Sequence, residues 1–135
     1  MFATAAFNFF ENCLCDIPTN YLEIGVYNGD SIQRLALAFP DKLIVGVDPF
    51  IEDGCTSHNS KVNAGERLIA QELSTKKLIK GIPNIMCFKQ TSKEFFTRLP
   101  DNVVTFLNIG AVFIDGSHHY EDVKKRLPTS YETAR

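Results

Sequence analysis

The sequence lacks long apolar runs, one-sided charge, internal repeats and low-complexity segments. Its 135 residues carry 14 Lys+Arg against 16 Asp+Glu, a net charge of −2, with the two signs interspersed. No basic stripe marks a nucleic-acid partner, and no basic amphipathic helix marks a membrane surface. No stretch approaches the ~20 apolar residues that span a bilayer. Residues 1–7 contain no Lys or Arg, and Asn8, Glu11 and Asn12 soon interrupt them, which is unlike a secretory signal. Cysteine is sparse as well: Cys13, Cys15, Cys55 and Cys87. Cys13-x-Cys15 is too tight for a zinc knuckle and has no matching pair. Cys87 lies in an apolar run and reads as a small core residue. The expectation is reduced thiols in a cytoplasmic protein.

What is present is enough apolar material for a core. At 44% hydrophobic, the chain reads as one compact domain over residues 1–135. Phe7, Phe10 and Leu14 have helical spacing, so an N-terminal helix should pack on whatever follows. Ile32, Leu35, Ala36 and Phe39 follow i, i+3, i+4, i+7, the apolar stripe of a second helix that Pro40 stops. Asp30 with Gln33 resembles a capping box at its start. A strand is expected at 42–47. Residues 49–63 form a long polar loop of the kind that contacts ligands. A helix with Leu68, Ile69 and Leu73 inside then runs to about Lys80. Ile85-Met86-Cys87-Phe88 is a short strand. Thr91-Ser92-Lys93-Glu94 reads as a capping box for a helix burying Phe95, Phe96 and Leu99, broken by Pro100-Asp101-Asn102. Ala111-Val112-Phe113-Ile114-Asp115 is the fourth strand, and Tyr120, Val123 and Leu127 have helical spacing after it. Strands alternating with helices give an α/β class, a parallel sheet with right-handed crossovers.

The most informative stretch is Tyr21-Leu22-Glu23-Ile24-Gly25-Val26-Tyr27-Asn28-Gly29-Asp30-Ser31. An apolar strand enters a glycine turn, and the turn opens a helix. Gly25 can take positive φ and admit a ligand close to the backbone. Glu23, at the strand's end, could meet a cation or a ribose hydroxyl. The next strand, Leu43-Ile44-Val45-Gly46-Val47, ends in Asp48, where a doubly wound fold places its ribose-binding acid. The same residues also suit simpler roles: a tight turn that any parallel α/β domain needs, and a turn-former before Pro49. The fourth strand runs into Asp115-Gly116-Ser117-His118-His119-Tyr120-Glu121-Asp122-Val123. Asp115 offers oxygen to a hard cation such as Mg²⁺, and a histidine there can act as a general base near neutral pH. A helix cap at Asp115 and solvated histidines are the simpler readings.

Taken together, these three blocks resemble the class I S-adenosylmethionine-dependent methyltransferases. Within them the chain is most similar to the macrocin O-methyltransferase and cephalosporin hydroxylase-like branch, whose typical I-D-G-x-H-x-Y-E run matches Ile114 to Glu121. The likeness extends from about Asn20 to Leu127. It implies a Rossmann-like three-layer sandwich with a doubly wound, mostly parallel sheet, its first four strands in the order 3-2-1-4. It implies S-adenosyl-L-methionine as cofactor and Mg²⁺ as a further one. Glu23, Gly25, Val26, Tyr27 and Gly29 would form the cofactor turn. Asp48 and Pro49 would lie at the ribose, and Gln90, Thr91 and Ser92 near the adenine. Asp115 matches a cofactor-side, catalytic and metal-ligating aspartate. His118 matches a histidine that assists deprotonation of the acceptor, whereas His119 falls where a small polar residue is usual.

The resemblance also implies more sheet than the chain supplies. The family has seven strands and four are placed here, so a C-terminally truncated domain is expected. Its fourth strand would be an edge, open to a homodimer or to pairing with another chain. Gln90-Thr91 replaces the more usual glycine and acid, and Arg126 stands near a position often acidic. The function implied is O-methylation of a small-molecule hydroxyl, with neither nucleic acid nor membrane as partner. A non-catalytic nucleotide-binding or interaction module is the alternative. A nicotinamide dehydrogenase fits poorly, because the turn lacks G-x-G-x-x-G spacing.

Overall fold

The computed structural model describes residues 4–50 and 64–114. Among these residues four short strands form one parallel sheet: β1 (Asn20–Ile24), β2 (Ile44–Val47), β3 (Ile85–Phe88) and β4 (Ile109–Ile114), in the order β3-β2-β1-β4. The fold is α/β and Rossmann-like, as the alternation of elements implies. The helices are α1 (Thr4–Asp16), α2 (Asp30–Ala38), α3 (Ala64–Ile79), α4 (Ser92–Arg98) and α5 (Asp101–Leu107). Among the described residues no helix is long and apolar enough to cross a membrane.

A strand's side chains alternate between faces, so each face builds its own core. On one face Tyr21 and Ile44 join Leu14, Val26, Ile32, Leu35, Ala36 and Phe39, from α1 and from α2 with its flanking turns. Phe10 anchors α1 there, with its ring edge-on to Tyr21 at 5.5 Å and to Phe113 at 5.3 Å. On the other face Leu22, Ile24, Val45 and Val47 pack with Phe95 of α4 and Leu107 of α5. The apolar stripe read for α2 is wholly buried.

Three glycines and three polar side chains set how the layers meet. Gly110 is the residue skipped where the β1–β4 register shifts between Asn20 and Tyr21. A Cβ there would stand 1.7 Å from Thr19 Oγ1. Gly46 leaves room for Val26, whose Cγ2 would lie 2.8 Å from an added Cβ. The third, Gly29, belongs to the site below. Asn84 Nδ2 donates to the carbonyls of Ala36, Phe39 and Lys42, each at 3.0 Å, and so closes the end of α2. Asn20 bridges β1 to its neighbours, donating to Leu107 O and accepting from Leu43 N–H. The buried Lys42 ammonium donates to the carbonyls of Ile17 and Thr19.

Several local expectations need correction. The start of α2 has no Asp30–Gln33 box. Gly29 is its N-cap, at φ 87°, without a side-chain cap. In α3, Ile69 and Leu73 are 62% and 61% exposed, the side chain of Leu68 lies outside the described residues, and Thr75 is buried. That helix turns a polar side chain inward because the carbonyls of a neighbouring turn need a donor there. The Pro100 break exists, but Pro100 also caps a further helix, α5, which the sequence reading missed. The box at Thr91 is real: Thr91 Oγ1 accepts from Glu94 N–H, and Glu94 Oε2 accepts from Thr91 N–H. β4 begins at Ile109, two residues earlier than expected.

Candidate functional site: the carboxyl ends of β1 and β2

All four strands are parallel, so their carboxyl ends share one edge of the sheet. Ligands of open α/β sheets bind outside that edge, where crossovers leave in opposite directions. Here β1 sits between β2 and β4, and the turn after β1 carries the glycine-rich segment.

That turn has positive φ at three alternate residues. Gly25 is at 93°, Tyr27 at 58° and Gly29 at 87°. Glycine meets the first and last at little cost. Tyr27 does not, and its side chain is 47% exposed. The turn closes on itself through Gly29 N–H donating to Val26 O at 3.1 Å.

Asp48, just past β2, takes up the donors this turn presents. Its Oδ2 accepts from Val26 N–H at 2.9 Å and from Tyr27 N–H at 3.1 Å. Its Oδ1 accepts from Phe50 N–H at 2.7 Å, a local turn that steers the chain around Pro49. Phe50 itself stands at φ 51°. The turn-forming reading of Asp48 is therefore correct as far as it goes. An ionised carboxylate offers about four lone-pair sites, and among the described residues three of them are used.

On the opposite flank α3 holds the same turn by its carbonyls. Thr75 Oγ1 donates to Tyr27 O at 3.1 Å, and Ser74 Oγ to Asn28 O at 3.5 Å. Gln33 Nε2 ties α2 to α3 through Leu78 O at 3.2 Å. Gly29 permits this approach, since a Cβ there would stand 3.1 Å from Thr75 Cα.

Glu23 is buried at 2% exposure in the last half of β1, with Tyr21 Oη donating to its Oε2 at 3.4 Å. It lies level with Gly46 and Cys87 across the sheet and with Phe113 on the other side. Burial pushes the Cys87 thiol up to about 11, and the charges of Asp48, Glu23 and Glu72 push the same way. Glu72 is itself held below the usual carboxylate range by hydrogen bonds from Lys89 and Lys76, the first of which joins α3 to the residue after β3.

The structure brings Val26, Tyr27 and Asp48 into direct contact, with Gly25, Gly29 and Pro49 adjoining them in the chain. Thr91 and Ser92 follow β3, the strand next to β2, and Asp48 N–H donates to Phe88 O at 3.1 Å. The Thr91 hydroxyl is engaged as a helix cap. Asp115, His118 and His119 lie outside the described residues, as do Cys55 and most of the expected loop. Among the described residues no group of three His, Cys, Asp or Glu could hold a metal ion. Sequence reasoning missed Ser74 and Thr75. A hydroxyl pair facing the turn inside an otherwise amphipathic helix was the signal available.

A parallel sheet in the order 3-2-1-4, a glycine turn after β1 and an acid after β2 define a Rossmann-like α/β domain. The family model described as a methyltransferase domain matches residues 22–135, most of the chain. This protein belongs to that methyltransferase-domain family. No curated protein matches the chain.

Proposed function

We propose that the chain binds S-adenosylmethionine at the carboxyl ends of β1 and β2 and methylates an oxygen of a small-molecule acceptor. One observation carries the reading: the Asp48 carboxylate is tied to the Val26–Tyr27 turn, where it would accept from a ribose hydroxyl. Three features fit the group. Gly25, at φ 93°, brings no side chain to the entry of the turn. The carboxylates of Asp48 and Glu23 both lie near Cys87 and would suit a cation such as a sulfonium. The turn's Val26 and Tyr27 amides, which could otherwise hold a phosphate, already serve Asp48.

When bound, S-adenosylmethionine supplies an electrophilic methyl group. The chain's own part is to bind, orient and exclude water, which is where much of such a rate gain arises. Gly25, Val26, Tyr27 and Gly29 would hold the amino-acid end, with Glu23 beneath them. Asp48 and Pro49 would hold the ribose, and Thr91 and Ser92 would border the adenine. His118 would accept the acceptor's hydroxyl proton. Asp115 would stand beside it as an oxygen ligand for Mg²⁺ if a cation assists by lowering the acceptor's pKa.

Calorimetry with S-adenosylhomocysteine, repeated with NAD, tests the ligand. The reading expects binding of the first and none of the second. Turnover on a panel of hydroxyl acceptors, with Mg²⁺ and with EDTA, tests the reaction and the cation separately. Tight S-adenosylhomocysteine binding with no turnover on any acceptor would replace the enzyme reading with that of a binding module.

A further inference from the structure

We infer that Thr75 is a positioning residue for the cofactor turn, acting through Tyr27. The inference rests on the function proposed above and deepens it.

Tyr27 is held from both sides by elements remote in sequence. Its N–H is fixed by Asp48 after β2, and its carbonyl by Thr75 in α3. Between these two anchors the residue takes φ 58°, a conformation that costs a tyrosine and costs glycine almost nothing. The neighbouring positions that need positive φ are glycines. The ring repays little by burial, being about half exposed. Strain kept at an exposed side chain in a ligand turn points to a ring used on the ligand.

Thr75 is the part of this clamp with no other evident purpose. It is 1% exposed inside a helix whose Ile69 and Leu73 face outward. Threonine in a helix commonly bonds the carbonyl one turn back. Here the hydroxyl reaches a carbonyl 48 residues away. Its flanks are fitted too, since Gly29 lacks the Cβ that would meet Thr75 Cα, Cγ2 and Oγ1 at 3.1–3.3 Å. The turn is therefore preformed, and ordering it costs the ligand nothing at the moment of binding.

The test compares Thr75→Val, which keeps the shape and removes the hydroxyl, with Thr75→Ser, which keeps the hydroxyl. Two readouts are taken on the whole chain, amide hydrogen exchange across residues 26–29 and calorimetric affinity for S-adenosylhomocysteine. Thr75→Val is expected to speed exchange at the turn and to weaken binding by about fivefold, the scale of one hydrogen bond. Thr75→Ser is expected to restore both. If Thr75→Val lowers global stability but leaves turn exchange and affinity as in the parent, Thr75 is only a packing residue and the inference is wrong. If the parent chain binds no S-adenosylhomocysteine, the proposed function fails, and the exchange data alone then decide whether Thr75 holds the turn.

Discussion

Asp48 and Val26 lie 22 residues apart in sequence, and a carboxylate oxygen of the first accepts the amide of the second at 2.9 Å. The acid after β2 is thus part of the turn after β1, and any ligand there meets the two as one surface.

Replacing Asp48 by Ala should therefore do two things at once. It leaves the amides of Val26, Tyr27 and Phe50 without their acceptor, costing about 1–3 kcal/mol of stability. On the proposed function it also removes an acceptor for a ribose hydroxyl, costing roughly 1.5–3 kcal/mol of binding. Urea denaturation reads the first and calorimetry with S-adenosylhomocysteine the second. An unchanged affinity would show that the ribose lies elsewhere.

Gly46→Ala places a Cβ 2.8 Å from Val26 Cγ2, inside the core under the turn. Overpacking of this kind costs about 1–3 kcal/mol. Trimming the obstacle with Val26→Ala in the same chain should recover part of that loss. A double variant whose stability loss equals the sum of the two single losses would mean that the methyl groups do not meet.

Asn84 serves three carbonyls between the end of α2 and the start of β2 with one amide nitrogen. Asn84→Ala should lower the unfolding free energy by about 1–3 kcal/mol. Asn84→Asp should be at least as harmful, because it offers those carbonyls an acceptor in place of a donor. Chemical denaturation of the two variants checks the order.

The Cys87 thiol, raised from 9.0 to about 11, makes a pH prediction. The folded state keeps this proton longer than the unfolded chain does. The associated stability is complete below pH 9 and is lost as pH rises through about 11. Denaturation midpoints of the parent should fall over that window more steeply than those of Cys87→Ala. Iodoacetamide at pH 8 should label the exposed Cys15 well before Cys87, as mass spectrometry of digests would show.

Much of the architecture was legible because it repeats or punctuates. The stripe at Ile32, Leu35, Ala36 and Phe39 has the period of a helix. Gly25 and Gly29 mark positions where backbone conformation excludes most side chains. The acid at Asp48 could be read as ribose-facing or as turn-forming, and the turn-forming part is visible in its three amide bonds. What escaped were polar side chains serving distant carbonyls: Thr75 on Tyr27, Asn84 on the end of α2, Lys42 on the residues before β1. Such bonds have no period, and their partners adjoin only after folding. The inner face of α3 was misjudged for the same reason. Its apolar Ile69 and Leu73 promised burial, while the turn beside α3 required a hydroxyl at Thr75.

The central claim is that the turn after β1 and the acid after β2 form one binding surface for a sulfonium nucleoside. Titration of S-adenosylhomocysteine into the chain, followed by NMR of the backbone amides, tests it most directly. The account predicts saturable shifts centred on Gly25, Val26, Tyr27, Gly29 and Asp48. A spectrum left unmoved at those amides, or moved only at residues on the opposite edge of the sheet, would contradict it.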